Sequence, residues 1–454
     1  MKSHRTLSGY RQLPLLGIEL DNGRSTFADP AFSGNKSLPV HRWVPWIAGF
    51  SSDFVAGALV KYLSSPGIVL DPFAGVGTTL VEAVLHGHSA VGFEINPYAA
   101  LASEVKAQAH RMDVAALRDE ATRFQKFYRA AVSSDYVPHS SYPKGFKTRS
   151  AFYSRRVLHK VLIIWDFIET VQDAHLRDLF RLAFGSTMVR YSNYSYEPSL
   201  GRRASAGKGE IEDFPVGEAI LAKLGEMADD IAWFQGALPA DTAPDVQVIC
   251  DSFFQSGDYL AAASVDLVIT SPPYLNNYHY IRNTRPQLYW LGYARHPKEL
   301  KDLEHSNFGK YWQTVRAGTA VQLEFSLPDT DIVERLDTLR NTNPERGVYG
   351  GGGWANYAAS YFNDCYRFAL GIKQVLKPGG TALVVIGNSI LQGILIPTDQ
   401  YFAKIAGSAG LELISIEIPR VARVGNSIIR SDVRVAKARD RQRLYEAVVE
   451  VRKR

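Results

Sequence analysis

One local pattern constrains this chain more than any other. GIVLDPF (67–73) reads as a short buried strand that runs into the turn DPFAGVGTT (71–79). TTLVEAVLHG (78–87) reads as the helix leaving that turn, and SAVGFEINP (89–97) as a second strand, stopped by Asn96-Pro97. Strand, glycine turn, helix and strand make a βαβ unit, whose right-handed crossover places the two strands parallel in one sheet. Similar strand patterns return at VQVICDS (246–252), DLVITSPPY (266–274), TALVVIGNS (381–389), LELISIEIP (411–419) and YEAVVEVRK (445–453).

Helical spacing marks FSSDFVAGALVKYL (50–63), with Ser51 or Ser52 as N-cap, and the stretches 355–376 and 398–409. KPGG (377–380) reads as a turn. Between the second and third strands the β-rhythm breaks. Helical stretches such as VAALRDEATRFQKFYRAAV (114–132) and RRVLHKVLIIWDFIETVQ (155–172) fill the gap, interrupted by a polar loop at 192–210. A second irregular region, 275–355, ends in the glycine run Gly350 to Gly353. The expected organisation is an N-terminal extension (1–40), a discontinuous α/β domain (41–106 and 241–454), a helical insertion (107–240) and a second insertion (275–355).

Composition narrows the class. With 46% apolar and 11% aromatic residues the chain can bury a sizeable core, which excludes a disordered or fibrous protein. The net charge is only +5, yet residues 420–454 hold eleven Lys/Arg against four Asp/Glu, a local +7 that leaves −2 for the remainder. Any electrostatic partner surface must therefore be local. Two cysteines, Cys250 and Cys365, cannot build a disulfide framework or a zinc cluster, and the 11 histidines have no metal-ligand spacing. No metal is expected. No apolar run reaches the ~18 residues of a membrane span, and the first residues lack the apolar core of a signal peptide. A cytoplasmic protein without a membrane partner is the expectation.

Two turns carry the chemistry. Gly75 and Gly77 let the backbone approach a ligand closely, and the helix beyond offers free N–H groups. Glu94 stands at the tip of the second strand, where doubly wound nucleotide folds put a carboxylate on ribose hydroxyls; a solvated strand end is the other reading. Asp71 at the start of the turn disfavours a pyrophosphate and suits a cationic or amine-bearing nucleoside. The second turn is Ser271-Pro272-Pro273-Tyr274. Its prolines remove two N–H donors and fix φ, leaving carbonyls rigidly displayed. A hydroxyl, a fixed carbonyl and an aromatic face suit a planar ring that bears an amino group.

These residues resemble a known family. DPFAGVGTT closely resembles motif I of the amino-methylating DNA methyltransferases, which bind S-adenosylmethionine. TSPPY is similar to their catalytic motif IV, in the serine form typical of cytosine-N4 enzymes; adenine-N6 enzymes more often carry Asp or Asn there. HRWVPWIAGFSSDFV (41–55) resembles the segment that precedes motif I and lines the cofactor pocket. The resemblance covers 41–106 and 245–453. It implies the Rossmann-like α/β fold of the class I methyltransferases, a seven-stranded mixed sheet with its last strand antiparallel, here with a large, mostly helical insertion.

The resemblance also implies roles. Trp46, Asp71, Pro72, Phe73, Gly75, Gly77 and Thr78 would surround the cofactor, with Asp71 facing its methionine end. Glu94 would hold the ribose, and Asp251 would sit near the adenine amino group. Ser271, Pro272, Pro273 and Tyr274 would hold the target base. The implied activity is site-specific methylation of a flipped base in DNA, cytosine N4 first, as in restriction-modification systems. The alternatives are adenine N6, an RNA or protein amide methyltransferase, and a non-catalytic DNA-binding subunit. In the serine version, Ser271 and the Pro272 carbonyl would accept hydrogen bonds from the exocyclic amine and align it with the sulfonium methyl.

DNA contacts are expected mainly in the insertion. HSSYPKGFKTRSAFYSRRVLHK (139–160) carries Lys144, Lys147, Arg149, Arg155, Arg156 and Lys160 without an acid, interleaved with Tyr and Phe. Arg202, Arg203 and Lys208 follow on the polar loop. Tyr278, Tyr280, Arg282 and Arg285 lie just after SPPY, and a basic stretch occupies 420–443. Solvated basic faces, and core packing for the tyrosines, are the competing readings.

Overall fold

Residues 25–454 are described in a computed structural model, apart from 47, 48, 50, 197, 198, 241, 276–278 and 422–443. Its centre is a seven-stranded sheet of β1 (Ile68–Asp71), β2 (Ser89–Phe93), β3 (Val246–Ile249), β4 (Val265–Thr270), β5 (Leu376–Gly387), β6 (Glu412–Val421) and β7 (Tyr445–Arg452). The strand order is β6-β7-β5-β4-β1-β2-β3. β1 pairs with β2 in parallel from Ile68↔Ser89 to Asp71↔Gly92, as the crossover requires. Six strands run in one direction, and β7 enters between β5 and β6 antiparallel to both. This is the mixed sheet expected from the resemblance.

Period-two alternation sends successive residues to opposite faces. Val69, Leu267, Ile269, Leu383 and Val385 pack into one buried layer with helices α1 (Ser52–Tyr62), α2 (Thr78–Leu85) and α3 (Pro97–Ala107). Leu70, Val268, Ala382, Val384 and Ile386 pack into the other layer, against the helices Gly351–Val375 and Thr398–Ser408. α2 is buried over seven consecutive positions, Thr78 to Val84, so it is a central helix rather than an amphipathic surface one.

The chain between β2 and β3 forms α3 and then α4 (Val114–Val132), α5 (Arg155–Thr170), α6 (Ala174–Thr187) and α7 (Val216–Ala237). Asp113, Ser154 and Asp173 cap α4, α5 and α6 by accepting from backbone N–H groups of the first turn. Their apolar faces share one buried cluster with α1–α3, so the helices extend the same layer. Phe124, Phe167 and Phe180 form its aromatic centre, with ring centroids 5.1–5.8 Å apart. One polar contact ties it to the region before β1. Asp230 of α7, 2% exposed, accepts from the Val40 N–H, Trp43 Nε1 and the Arg42 guanidinium at 2.6–3.1 Å.

Four expectations need correction. KPGG is no free turn but a distortion inside β5: Gly379 takes φ +80°, and its N–H donates to the Lys453 carbonyl at 2.7 Å. The glycine run does not end an irregular segment; it opens the long helix, because a Cβ at Gly351 would lie 1.7 Å from the Leu339 carbonyl oxygen. Region 275–355 contains short helices, the longest being Pro297–Ser306, and the polar loop holds the hairpin Tyr194–Tyr196/Leu200–Arg202. Among the described residues no helix is long and apolar enough to cross a membrane.

Candidate active site

β1 to β4 are parallel, so their C-terminal ends open on one edge of the sheet, where α/β folds bind ligands. An open cavity lies there. Residues 72–76 and Thr78 after β1, 93–96 after β2, 251–254 after β3, and Ser271 and Pro273 after β4 line it. Trp46 and Gly49 close it from the segment that Asp230 holds, and Tyr280 and Phe308 from the region after SPPY.

Glu94 fastens the turn to the second strand. Its Oε2 accepts from the Gly75 N–H at 2.9 Å and its Oε1 from the Asn96 N–H at 2.8 Å. Burial pushes its carboxyl up to about 7, against the pull of those two donors. Gly75 itself takes φ +53°, and a Cβ there would come within 3.4 Å of Trp46 Nε1. The glycine therefore lets the turn and the tryptophan wall meet. Asp251 accepts from the Ser252 N–H at 2.7 Å and from Tyr259 Oη at 2.8 Å, at the rim of the same cavity. Cys250 beside it is exposed to solvent, and desolvation of its thiol together with the nearby Glu94 and Asp251 carboxylates pushes it up to about 11, which disfavours a thiolate.

Asp71 departs from expectation. It does not face the cavity: it is fully buried, accepting from the Phe73 N–H at 3.0 Å and from Thr79 and Thr270 Oγ1, each at 2.6 Å. It clamps β1, its turn, α2 and β4 together, and burial raises its carboxyl to about 6. Gly77 also lies off the cavity wall. At φ +81° it leads into α2, and a Cβ would meet Ser103 Oγ at 2.7 Å, so glycine is required by the contact with α3.

Within SPPY, Ser271 and Pro273 reach the wall while Pro272 and Tyr274 do not. Tyr361 Oη donates to the Pro273 carbonyl at 3.0 Å, and among the described residues no donor takes up that of Pro272. Tyr274 Oη donates to Glu446 of β7 at 3.2 Å and its ring covers Gly387, which anchors the turn to the sheet.

Sequence reasoning missed Lys106. This residue of α3 is fully buried, and its Nζ donates to the Val76 carbonyl inside the glycine turn at 2.6 Å. Burial brings its amine down to about 7, with Glu82 opposing the fall. A single lysine within the small, apolar stretch PYAALASEVKA was the available signal.

The expected DNA-facing groups are scattered. Lys147, Arg149, Arg155, Arg156, Arg202 and Arg282 are exposed; Arg203 is half-buried, its Nε donating to the Gly209 carbonyl at 2.8 Å. Lys160 pairs with Asp213 at 2.6 Å, so the basic segment is not free of acid in space. Arg285 donates to the Lys147 carbonyl. The interleaved aromatics are not stacking platforms: Phe146, Phe152 and Tyr153 are buried, in contact with Tyr289 and Trp290, because large rings fill the joint between insertion and sheet. Tyr278 and most of the 420–443 stretch lie outside the described residues. Among the described residues no group of three His, Cys, Asp or Glu could hold a metal ion.

Known proteins fit this picture. The family model described as DNA methylase, covering N6- and N4-methylating enzymes, matches residues 55–104, the span from α1 through the glycine turn and β2 into α3. The chain is similar to the type II methyltransferase M.BsoBI of Geobacillus stearothermophilus, at 24% identity over 87% of this chain and 83% of the relative. It is also similar to M.AvaI of Nostoc sp., at 23% identity over 85% and 82%. Among solved structures, an S-adenosylmethionine-dependent methyltransferase of Methanosarcina mazei matches at TM-score 0.29 and 9% identity, over 87% of this chain and 96% of that one. The rRNA methyltransferase aviRa of Streptomyces viridochromogenes matches at TM-score 0.32 and 9% identity, over 93% of each. The family model falls on the glycine turn and its two flanking strands, and the similarity to type II DNA methyltransferases runs over most of the chain.

Proposed function

We propose that this protein transfers the methyl group of S-adenosylmethionine to the exocyclic amine of a base turned out of DNA, and that the amine is cytosine N4. One observation carries the reading: a single cavity unites Ser271 of the SPPY turn with Glu94, Asp251 and Trp46.

The donor set fits the cofactor. Each Glu94 oxygen accepts one N–H and keeps a lone pair for a ribose hydroxyl. Trp46, Phe73 and Phe253 supply aromatic surface for an adenine ring and a sulfonium. When bound, S-adenosylmethionine supplies an electrophilic methyl on a sulfonium leaving group. The chain's own work is positioning. Ser271 Oγ, which reaches the cavity, accepts from an N–H of the amine and helps turn its lone pair toward the methyl. Two prolines and the Tyr361 bond to Pro273 keep that turn from relaxing. Holding the amine in line inside a water-poor cavity accounts for most of the rate. The base must leave the helix to reach this edge.

The test incubates the protein with labelled S-adenosylmethionine and DNA of varied sequence, then identifies the methylated nucleoside by mass spectrometry. N4-methylcytosine supports the proposal, N6-methyladenine moves the target to adenine, and cofactor binding without label in DNA overturns it. Ser271→Ala is expected to lower kcat on the order of 10²-fold while leaving cofactor affinity unchanged.

A further inference from the structure

The methyl transfer gives Lys106 nothing to do, and its surroundings do not explain it as a stabilising ion pair. The residue is fully buried, and among the described residues no carboxylate pairs with it. Glu82, the acid whose charge reaches it, bonds His41 instead, Oε1 to Nε2 at 2.8 Å. Burying an amine without a counter-charge is costly, and lysine is seldom placed so. The bond it does make runs from Nζ to the Val76 carbonyl, 2.6 Å away.

That carbonyl belongs to a peptide unit with room to turn over. Val76 stands between Gly75 at φ +53° and Gly77 at φ +81°. Glycine tolerates either sign of φ, so the 76–77 peptide can rotate with no Cβ at Gly77 to oppose it. Rotation would carry the carbonyl away from α3. The first half of the turn is tied to β2: the Ala74 N–H donates to the Phe93 carbonyl and the Gly75 N–H to Glu94, each at 2.9 Å. The 76–77 unit is tied within the turn, by the Gly77 N–H to the Ala74 carbonyl at 2.8 Å, and to a helix by Lys106. Ser103 lies one turn earlier on the same face of α3, where a Cβ on Gly77 would meet its Oγ at 2.7 Å. α3 thus offers the turn a small residue to pack on and a long donor to lock it. Val76 and Thr78, on either side of Gly77, both line the cavity.

We infer that Lys106 is a positioning residue for S-adenosylmethionine. By holding the 76–77 peptide in one orientation, it keeps the wall of Val76 and Thr78 in the shape that receives the cofactor, without touching the cofactor itself. Charged or neutral, its amine has an N–H to give, so the role persists across neutral pH. The inference rests on S-adenosylmethionine as the cofactor and is independent of which base is methylated.

Lys106→Met keeps the length and burial of the side chain and deletes the donor. Calorimetric titration of the cofactor-free variant with S-adenosylmethionine is expected to give a Kd about 10-fold above wild type. Amide exchange at Gly77 should quicken while that of the α2 interior does not. In steady-state assays KM for the cofactor should rise, with kcat at saturating cofactor and KM for DNA unchanged. Melting temperature should hold or rise, because no amine is left to bury. A lysine that serves stability alone gives a lower melting temperature at unchanged Kd, and that result overturns the inference. Lys106→Gln, too short to reach Val76, repeats the titration should Lys106→Met fail to fold; loss of folding in both also overturns it. A wild type that binds no S-adenosylmethionine overturns the cofactor reading and this inference together.

Discussion

Glu94 is the residue on which the cofactor side of the site turns. Burial holds its carboxyl near 7, above its ordinary range, while the Gly75 and Asn96 N–H groups draw it back down. A raised acid favours the folded, ligand-free protein most below about 4.5, and that advantage fades as pH climbs through 7. Cofactor affinity should move the other way. Ribose hydroxyls and a sulfonium both favour the ionised form, so binding should tighten as pH rises from 6 to 8, with a proton released. Calorimetric titration in buffers of different ionisation enthalpy measures that proton. In Glu94→Gln the pH dependence should vanish and affinity should fall about 10- to 100-fold. Asp71 shows why residue type alone misleads here: an acid in the right turn still becomes a clamp, because two threonine hydroxyls, each 2.6 Å away, occupy it.

At the scale of elements, the most exposed dependency is the segment that carries Trp46. Nothing in HRWVPW announces what holds it. α7 does, through the Asp230 contacts to Val40, Arg42 and Trp43. Asp230→Ala is expected to lower stability by about 3 kcal/mol, chiefly because it strands the buried Val40 and Trp43 N–H donors, with the half-exposed Arg42 pair adding less. It should also raise KM for the cofactor by freeing the wall; thermal denaturation and steady-state kinetics read the two effects. How much of the fold was legible follows the same division. α4 was readable to the residue and the βαβ unit nearly so, because their information is local: apolar periodicity and turn residues. Ser271, Glu94, Asp251 and Gly75 were likewise readable as neighbours of one cavity, since each follows a parallel strand. The opening of the helix at Gly351, the burial of Phe152 and the role of Lys106 were not. Each depends on a neighbour distant in sequence: Leu339, Tyr194 and Val76.

On the scale of the whole molecule, charge is segregated from the cavity rather than spread over it. Arg155 and Arg156 open α5 on the exposed side of the insertion. Replacing both with Ala should weaken DNA binding and reduce the slope of log K against log salt by about 2, one unit for each phosphate left without its arginine. Cofactor affinity should not change. Filter binding across a salt series checks the slope, and an unchanged slope would return the pair to the solvent.

The position of β7 has a consequence for synthesis. It comes last of the seven strands in the chain, yet it fills the gap between β5 and β6. Until residues 445–452 leave the ribosome, β5 has an open edge and β6 has no neighbour at all. A nascent or clipped chain lacking them would present the apolar run Leu383 to Ile386 as a bare pairing edge, which is a seed for aggregation. Quality control should therefore see this chain as a client until β7 has emerged and paired, however complete its cofactor turn already is.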